Sequence, residues 1–249
     1  MRRGVCEAER AVKNEQDWPG PHERFDSDGL GLFLDLGSAK MRFTSAGAGD
    51  FSNAQSAGVL RLERSTGVPT QMWAQGNQVH GAELVTVNRT EDLELPWQDA
   101  DGQLTNLPGV LCAVRTADCL PVLLASDCAV AALHGGWRGM EAGILAAGVE
   151  EATRLGQGAL TAAIGPGARG CCYEVGDELI DRFAIYGSAA INGDHLDLAT
   201  VARQQLVAAG VDQIIDCGIC TICSSEDQFF SYRRDGGETG RMIGAVWLS

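Results

Sequence analysis

Residues 110–139 read VLCAVRTADCLPVLLASDCAVAALHGGWRG. Three apolar runs, VLCAVR, LPVLLAS and AVAALH, follow one another closely and have the length and composition of buried strands. Taking 120–126 and 129–134 as a hairpin closed by the two-residue turn Asp127-Cys128 sets His134 opposite Pro121 and Cys119 opposite Gly136. Cys119 and His134 are then diagonal neighbours on one sheet face, about 7–8 Å apart between Cα atoms, with side chains able to converge. Both stand where a strand meets a turn, where functional groups collect, and the glycines after His134 leave space beside it.

Outward from this hairpin, GLGLFLDL, AKMRFTS, the alternating stretch 78–88, residues 161–164 and 213–216 and the closing RMIGAVWL read as further strands. Helical patterns cover about 140–155, 175–186 and 197–209, the last with Asp197 as its cap and Gly210 as its stop. Strands in such close succession imply mixed or antiparallel pairing, so the fold class is α+β in a single compact domain. Residues 1–28 are polar and aperiodic and read as a mobile leader, with His22 inside it; the domain is residues 29–249.

The 249 residues contain 19 Lys+Arg against 33 Asp+Glu, a net charge of −14. That balance argues against nucleic acid and against an anionic membrane surface as partners. No apolar window is long enough to span a membrane and the start lacks a signal-peptide core, so a cytoplasmic protein handling small molecules is expected. The nine cysteines are odd in number with no signal sequence, so a disulfide framework is not expected; most read as small buried hydrophobes.

His80, in QVHG at the start of the alternating stretch, is the third member of a candidate constellation. Two histidines and a cysteine suit zinc or copper with one position left for water or substrate. The same residues also read as hydrogen-bonded scaffold histidines, or as a Cys119 thiolate with His134 as its base. Asp118 is a candidate acid or base at the turn, or a turn-capping carboxylate. Arg115 and Arg138 flank the region with forks that suit phosphate or carboxylate, unless each is paired with an acidic neighbour.

The glycines of IGPGARGCC (Gly165, Gly167, Gly170) form either an anion cradle before a helix or a structural turn; the spacing is neither a Walker loop nor a dinucleotide fingerprint. Cys171 and Cys172 are consecutive and could not both face one metal from a regular strand. CGICTIC, with Cys217, Cys220 and Cys223, lacks the fourth cysteine of an iron–sulfur run, and burial is the simpler expectation. Arg233, Arg234 and Arg241 surround a Gly-Gly turn that is either a substrate-facing loop or a solvated hairpin.

Taken together and in order, QVHG, ADGQLTNLPGVLCAVRTADCLPVLL, HGGWRG, IGPGARGCCYEVG and CTICSSEDQFFSYRRDGGETGR resemble the YfiH-like family, also called the laccase-domain or multicopper polyphenol oxidase family and described as purine nucleoside phosphorylases. The likeness covers about residues 70–249. It implies an αββα arrangement similar to cytotoxic necrotizing factor catalytic domains, and a metal held by the matching positions His80, Cys119 and His134. It also implies phosphorolysis of adenosine, inosine, guanosine and methylthioadenosine with inorganic phosphate as co-substrate, and deamination of adenosine.

The chain departs from that pattern at its front, where TSAGAGDFSN and VLRLERSTG replace a Gly-Gly-Val-Ser type motif and an Asn-Arg pair. The resulting expectation is a zinc enzyme, with copper as the alternative ion, working as a monomer or small homo-oligomer. Cys119, Asp118 and Arg138 are its expected catalytic residues, and Arg115 and Arg241 its substrate-binding ones. The rival readings are a copper-dependent polyphenol oxidase, a degenerate binding protein and a cysteine hydrolase. The small number of histidines argues against a multicopper site.

Overall fold

The expected hairpin is present in the expected register. Pro121 pairs with His134 and Leu120 with Gly135, and the Ser126 N–H donates to Ala129 O at 2.9 Å across the turn. The computed structural model describes residues 24–249 other than 54, 55 and 157; His22 and the leader up to residue 23 lie outside the described residues.

In chain order the strands are β1 (Asp26–Asp28), β2 (Gly31–Asp35), β3 (Ala39–Thr44), β4 (Trp73–Ala74), β5 (Leu84–Val87), β6 (Gly102–Thr105) and β7 (Leu111–Thr116). They continue with β8 (Leu120–Ala125), β9 (Val130–Gly135), β10 (Thr161–Ile164), β11 (Ile191–Asn192), β12 (His195–Leu196), β13 (Gln213–Asp216) and β14 (Met242–Leu248). The α-helices are α1 (Ala57–Thr66), α2 (Trp137–Glu141), α3 (Ile144–Leu155), α4 (Asp177–Phe183) and α5 (Leu198–Ala208). One six-stranded sheet runs β1-β2-β3-β14-β7-β4 and a second runs β13-β10-β8-β9-β6-β5. Pairing is antiparallel except at β4–β7, β10–β13 and β5–β6.

Alternation of side chains along the strands builds the layers. Leu123 and Ala125 of β8 join Met41, Phe43, Cys112, Val114, Val246 and Leu248 in a core between the sheets. Leu120, Val122 and Leu124 turn the other way, into a core shared with Ile144, Leu145 and Val149 of α3 and Val201 and Leu206 of α5. On the outer face of the first sheet, Leu111, Ala113, Ile243 and Ala245 pack with Val59 and Leu62 of α1. The domain is therefore a single compact α+β unit with helices outside two facing sheets. No helix among the described residues is long and apolar enough to cross a membrane.

Three local differences from the expected elements have physical causes. The helix expected over 140–155 is broken at Gly143, whose φ of +92° is left-handed, so α2 and α3 are separate. The strand expected over 78–88 is reduced to β5, because residues 79–81 turn away to bond a buried carboxylate. α1, capped by the Ser56 hydroxyl on Val59 N–H, forms in VLRLERSTG, the stretch that replaces the family's motif and for which no helix was expected. The capped start of α5 is as expected: Asp197 accepts from the N–H groups of Ala199 and Thr200.

Candidate metal centre

β6 lies antiparallel beside β9 with Gly102 paired to Leu133, and this register brings Asp101 alongside His134. The His134 N–H donates to Asp101 O at 2.7 Å, and His134 Nδ1 lies 2.7 Å from Asp101 Oδ1. Asp101 is fully buried. Burial pushes its carboxyl up, but the bonds from His134 and from the Gly81 and Val79 N–H groups outweigh this and hold it below the usual range. An ionised carboxylate only accepts, so Nδ1 carries the proton and Nε2 of His134 is left free to ligate.

The same carboxylate shapes the His80 turn. It accepts from the N–H of Val79 at 3.0 Å, His80 at 3.0 Å and Gly81 at 2.8 Å. His80 has a φ of +62°, a left-handed conformation that costs a non-glycine residue about 1–2 kcal/mol. Three charge-assisted bonds hold it there. One buried aspartate thus orients both histidines.

Cys119 enters from the turn between β7 and β8, after Asp118, which also has a left-handed φ, +84°. The ligand atoms of His80, Cys119 and His134 lie within 4.8 Å of one another, and the two imidazoles meet edge-on with ring centroids 4.8 Å apart. Gly136 lies against all three: a Cβ there would stand 3.1 Å from His80 Cδ2, 3.2 Å from Cys119 Sγ and 3.9 Å from His134 Cε1. Burial pushes the Cys119 thiol up, but the His134 charge and the bonds with His134 and His80 pull it down to about 6. Burial pushes His134 down, yet the Cys119 charge and the Asp101 and Cys119 bonds raise it. Two imidazoles and a thiolate, one imidazole locked in its ligating tautomer and a glycine where a side chain would intrude, fit a borderline-soft ion such as zinc or copper.

Asp118 is buried and both of its carboxylate oxygens are engaged. Oδ1 accepts from Thr221 Oγ1 at 2.6 Å and Oδ2 from the Arg233 N–H at 2.7 Å, while its backbone O accepts from the Ala168 N–H at 2.7 Å. It ties three segments to the Cys119 turn. Burial raises the Tyr173 phenol; the charges of Cys119 and Asp118 add to the rise and those of Arg233 and Arg138 oppose it. Arg233 lies 5.1 Å over the Tyr173 ring and donates to Glu174 O. Arg138 is exposed, with its guanidinium 4.2 Å over Trp137.

The other expected arginines are engaged differently. Arg115 lies 4.9 Å over Trp97 and bonds the Gln75 side chain, and its backbone is clasped by Gln78. Its Nε is buried without a partner. Arg241 donates to the carbonyls of Thr239 and Gly240, and Arg234 is tied to Asp235 and to the carbonyls of Thr221, Ser224 and Phe229. Asp101, Gly136, Tyr173 and Thr221 are the centre's residues that sequence reasoning passed over. The cradle reading of IGPGARG gives way to packing: side chains at Gly165 or Gly167 would collide with Phe43, Pro121 or Leu120.

Two facing mixed sheets with outer helices, and a two-histidine, one-cysteine centre at the end of the central hairpin, define a candidate metalloenzyme of the α+β class. The chain belongs to the multi-copper polyphenol oxidoreductase laccase family, whose model matches residues 41–249. It is 38% identical over 197 residues to a purine nucleoside phosphorylase of Deinococcus radiodurans, covering 76% of this chain and 75% of that one. It is 33% identical over 209 residues to adenosine deaminase RL5 of an unknown prokaryotic organism, covering 76% and 79%. A solved structure of the Bacillus licheniformis hypothetical protein YfiH superposes with a TM-score of 0.79 at 25% identity, covering 92% of this chain and all of that one.

Proposed function

We propose that the protein is a cytoplasmic, zinc-dependent purine nucleoside enzyme. It cleaves adenosine, inosine, guanosine and methylthioadenosine with inorganic phosphate, giving the base and the (methylthio)ribose 1-phosphate, and it deaminates adenosine to inosine. The observation that carries this reading is the convergence of His80, Cys119 and His134 within 4.8 Å in a chain whose relatives are named as a phosphorylase and a deaminase.

When bound, the ion would supply Lewis acidity and make water a nucleophile near neutral pH, which displacement of ammonia from adenine C6 requires. The chain's own residues supply positioning. Asp101 fixes the His134 ring and the His80 turn. Asp118, with both oxygens engaged, is a positioning residue for Cys119 and Arg233; acting as acid or base requires one of those bonds to open. Arg138, stacked on Trp137 and without an ion pair among the described residues, is the cation assigned to phosphate. Arg115 and Arg241 are assigned to the rest of the substrate. Stabilisation of charge on the departing base and on phosphate is the largest contribution such a site makes.

Copper in the same donors supports a second reading, oxidation of phenols. A multicopper centre needs more histidines, however, and the remaining described histidine, His195, bonds Asp194 in the separate β11–β12 hairpin. The test is product analysis by mass spectrometry, with metal-quantified protein and adenosine, inosine or methylthioadenosine, with and without phosphate. The expected products are base plus ribose 1-phosphate only with phosphate, and inosine from adenosine without it. No product from zinc-loaded protein overturns the reading in favour of a binding protein, and thiol alkylation without metal loss would favour a Cys119 nucleophile.

A further inference from the structure

A second group of potential ligands lies outside this centre. The sequence offered two fragments, Cys171-Cys172 and the Cys220/Cys223 pair, each insufficient alone, and the fold joins them. Gly167 bridges to Cys220 in parallel fashion, with the Thr221 N–H donating to Gly167 O at 3.1 Å, so the two segments run side by side. Cys171 and Cys172 sit in a turn rather than a strand, closed by the Cys172 and Tyr173 N–H groups on Arg169 O. The alternation that would have sent them to opposite faces does not operate there. All four sulfurs lie within 4.8 Å of one another.

We propose that Cys171, Cys172, Cys220 and Cys223 form a second, structural metal site that takes a zinc ion through four thiolates. A tetrahedron with metal–sulfur bonds of ~2.3 Å has sulfur–sulfur edges of about 3.8 Å. Cys171 Sγ and Cys223 Sγ are 3.8 Å apart, far beyond a disulfide bond. Burial as inert hydrophobes does not account for the group, since Cys171 and Cys223 are exposed, whereas Cys112 and Cys217 are buried and stand outside it. Four protein ligands leave no open position, which marks a structural rather than a catalytic site.

The site clips the 165–175 loop to the 217–225 turn. Thr221, between two of the ligands, donates to Asp118 beside Cys119, so the clip braces the wall of the first centre. The proposal does not depend on the reaction assigned there.

The test uses the full chain purified under reducing conditions, stripped with chelator and reloaded with zinc or cobalt(II). Wild type is expected to hold two zinc ions, and Cys119→Ala, which disables the first centre, to hold one. In the Cys119→Ala background, cobalt(II) should give an intense near-ultraviolet thiolate charge-transfer band. Cys223→Ser and Cys171→Ser, both at exposed positions, should each abolish that band, while as single variants each keeps the one ion of the first centre as proof of folding. One zinc in wild type, an undiminished band in Cys223→Ser, a disulfide among these cysteines by intact mass, or iron in place of zinc overturns the proposal.

Discussion

His134 Nδ1 and Asp101 Oδ1 are 2.7 Å apart in the buried heart of the protein, and the other Asp101 oxygen accepts the N–H groups of Val79 and Gly81. Every approach to this carboxylate is by a donor. In Asp101→Asn, an amide NH₂ must therefore confront donors on one side or the other. The expected outcome is a metal affinity lowered about 10–100-fold and a stability loss of about 1–3 kcal/mol from the mismatched buried groups. Chelator competition and denaturant unfolding measure the two. An unchanged affinity would show that the His134 tautomer is set elsewhere.

Gly136 has φ −77° and ψ 158°, extended backbone that alanine adopts without strain. The cost of Gly136→Ala is therefore local: its methyl would press on His80 Cδ2 at 3.1 Å and Cys119 Sγ at 3.2 Å. Activity should fall about 10–100-fold through displaced ligands, with the thermal midpoint nearly that of wild type. Wild-type turnover and metal content in this variant would mean that the three side chains are not held together as a unit.

The hairpin pair was legible because a two-residue turn leaves a strand pair one register, so Cys119 and His134 could be placed from spacing alone. His80 was visible only as a scarce residue type. Its left-handed turn depends on Asp101, which the β6–β9 pairing delivers and which nothing in ADGQLT singles out. The four-cysteine group was hidden for a related reason. Strand alternation was the wrong geometry for a turn, and the segments that meet lie about fifty residues apart. Tyr173 and Thr221 likewise reach the centre through loops whose courses no local pattern specifies.

Asp118 separates positioning from proton transfer. In Asp118→Asn the amide oxygen can accept the Arg233 N–H while the NH₂ donates to the Thr221 hydroxyl, which can reverse its role. Activity should stay within about tenfold of wild type with the same pH profile. A loss of about 10²–10⁴-fold with one limb of the profile removed would instead make Asp118 an acid or base. Thr221→Val, which leaves Oδ1 without its donor, should cost about 1–3 kcal/mol.

Arg169 and Asp216 give the protein a predictable acid limb. Arg169 grips Asp216 with two guanidinium nitrogens, reaches Gly165 O and Ile219 O, and so joins the loops on either side of the four cysteines. Burial pushes the Asp216 carboxyl up, but the Arg169 bonds and charge outweigh it and hold it below its ordinary 3.8. A carboxyl depressed in the folded state stabilises the fold fully above its unfolded value. That contribution falls as the pH drops below 3.8, where the unfolded chain takes up the proton first, and is gone below the folded value. Asp216→Asn leaves a mostly buried guanidinium without its counter-charge, so at neutral pH it should lose about 3–5 kcal/mol. Urea unfolding between neutral pH and pH 3 should show wild type losing stability below pH 4 and the variant, lower throughout, losing less, so that the gap narrows. Parallel acid slopes would mean that the steepness arises from other carboxylates and that this pair contributes through packing alone.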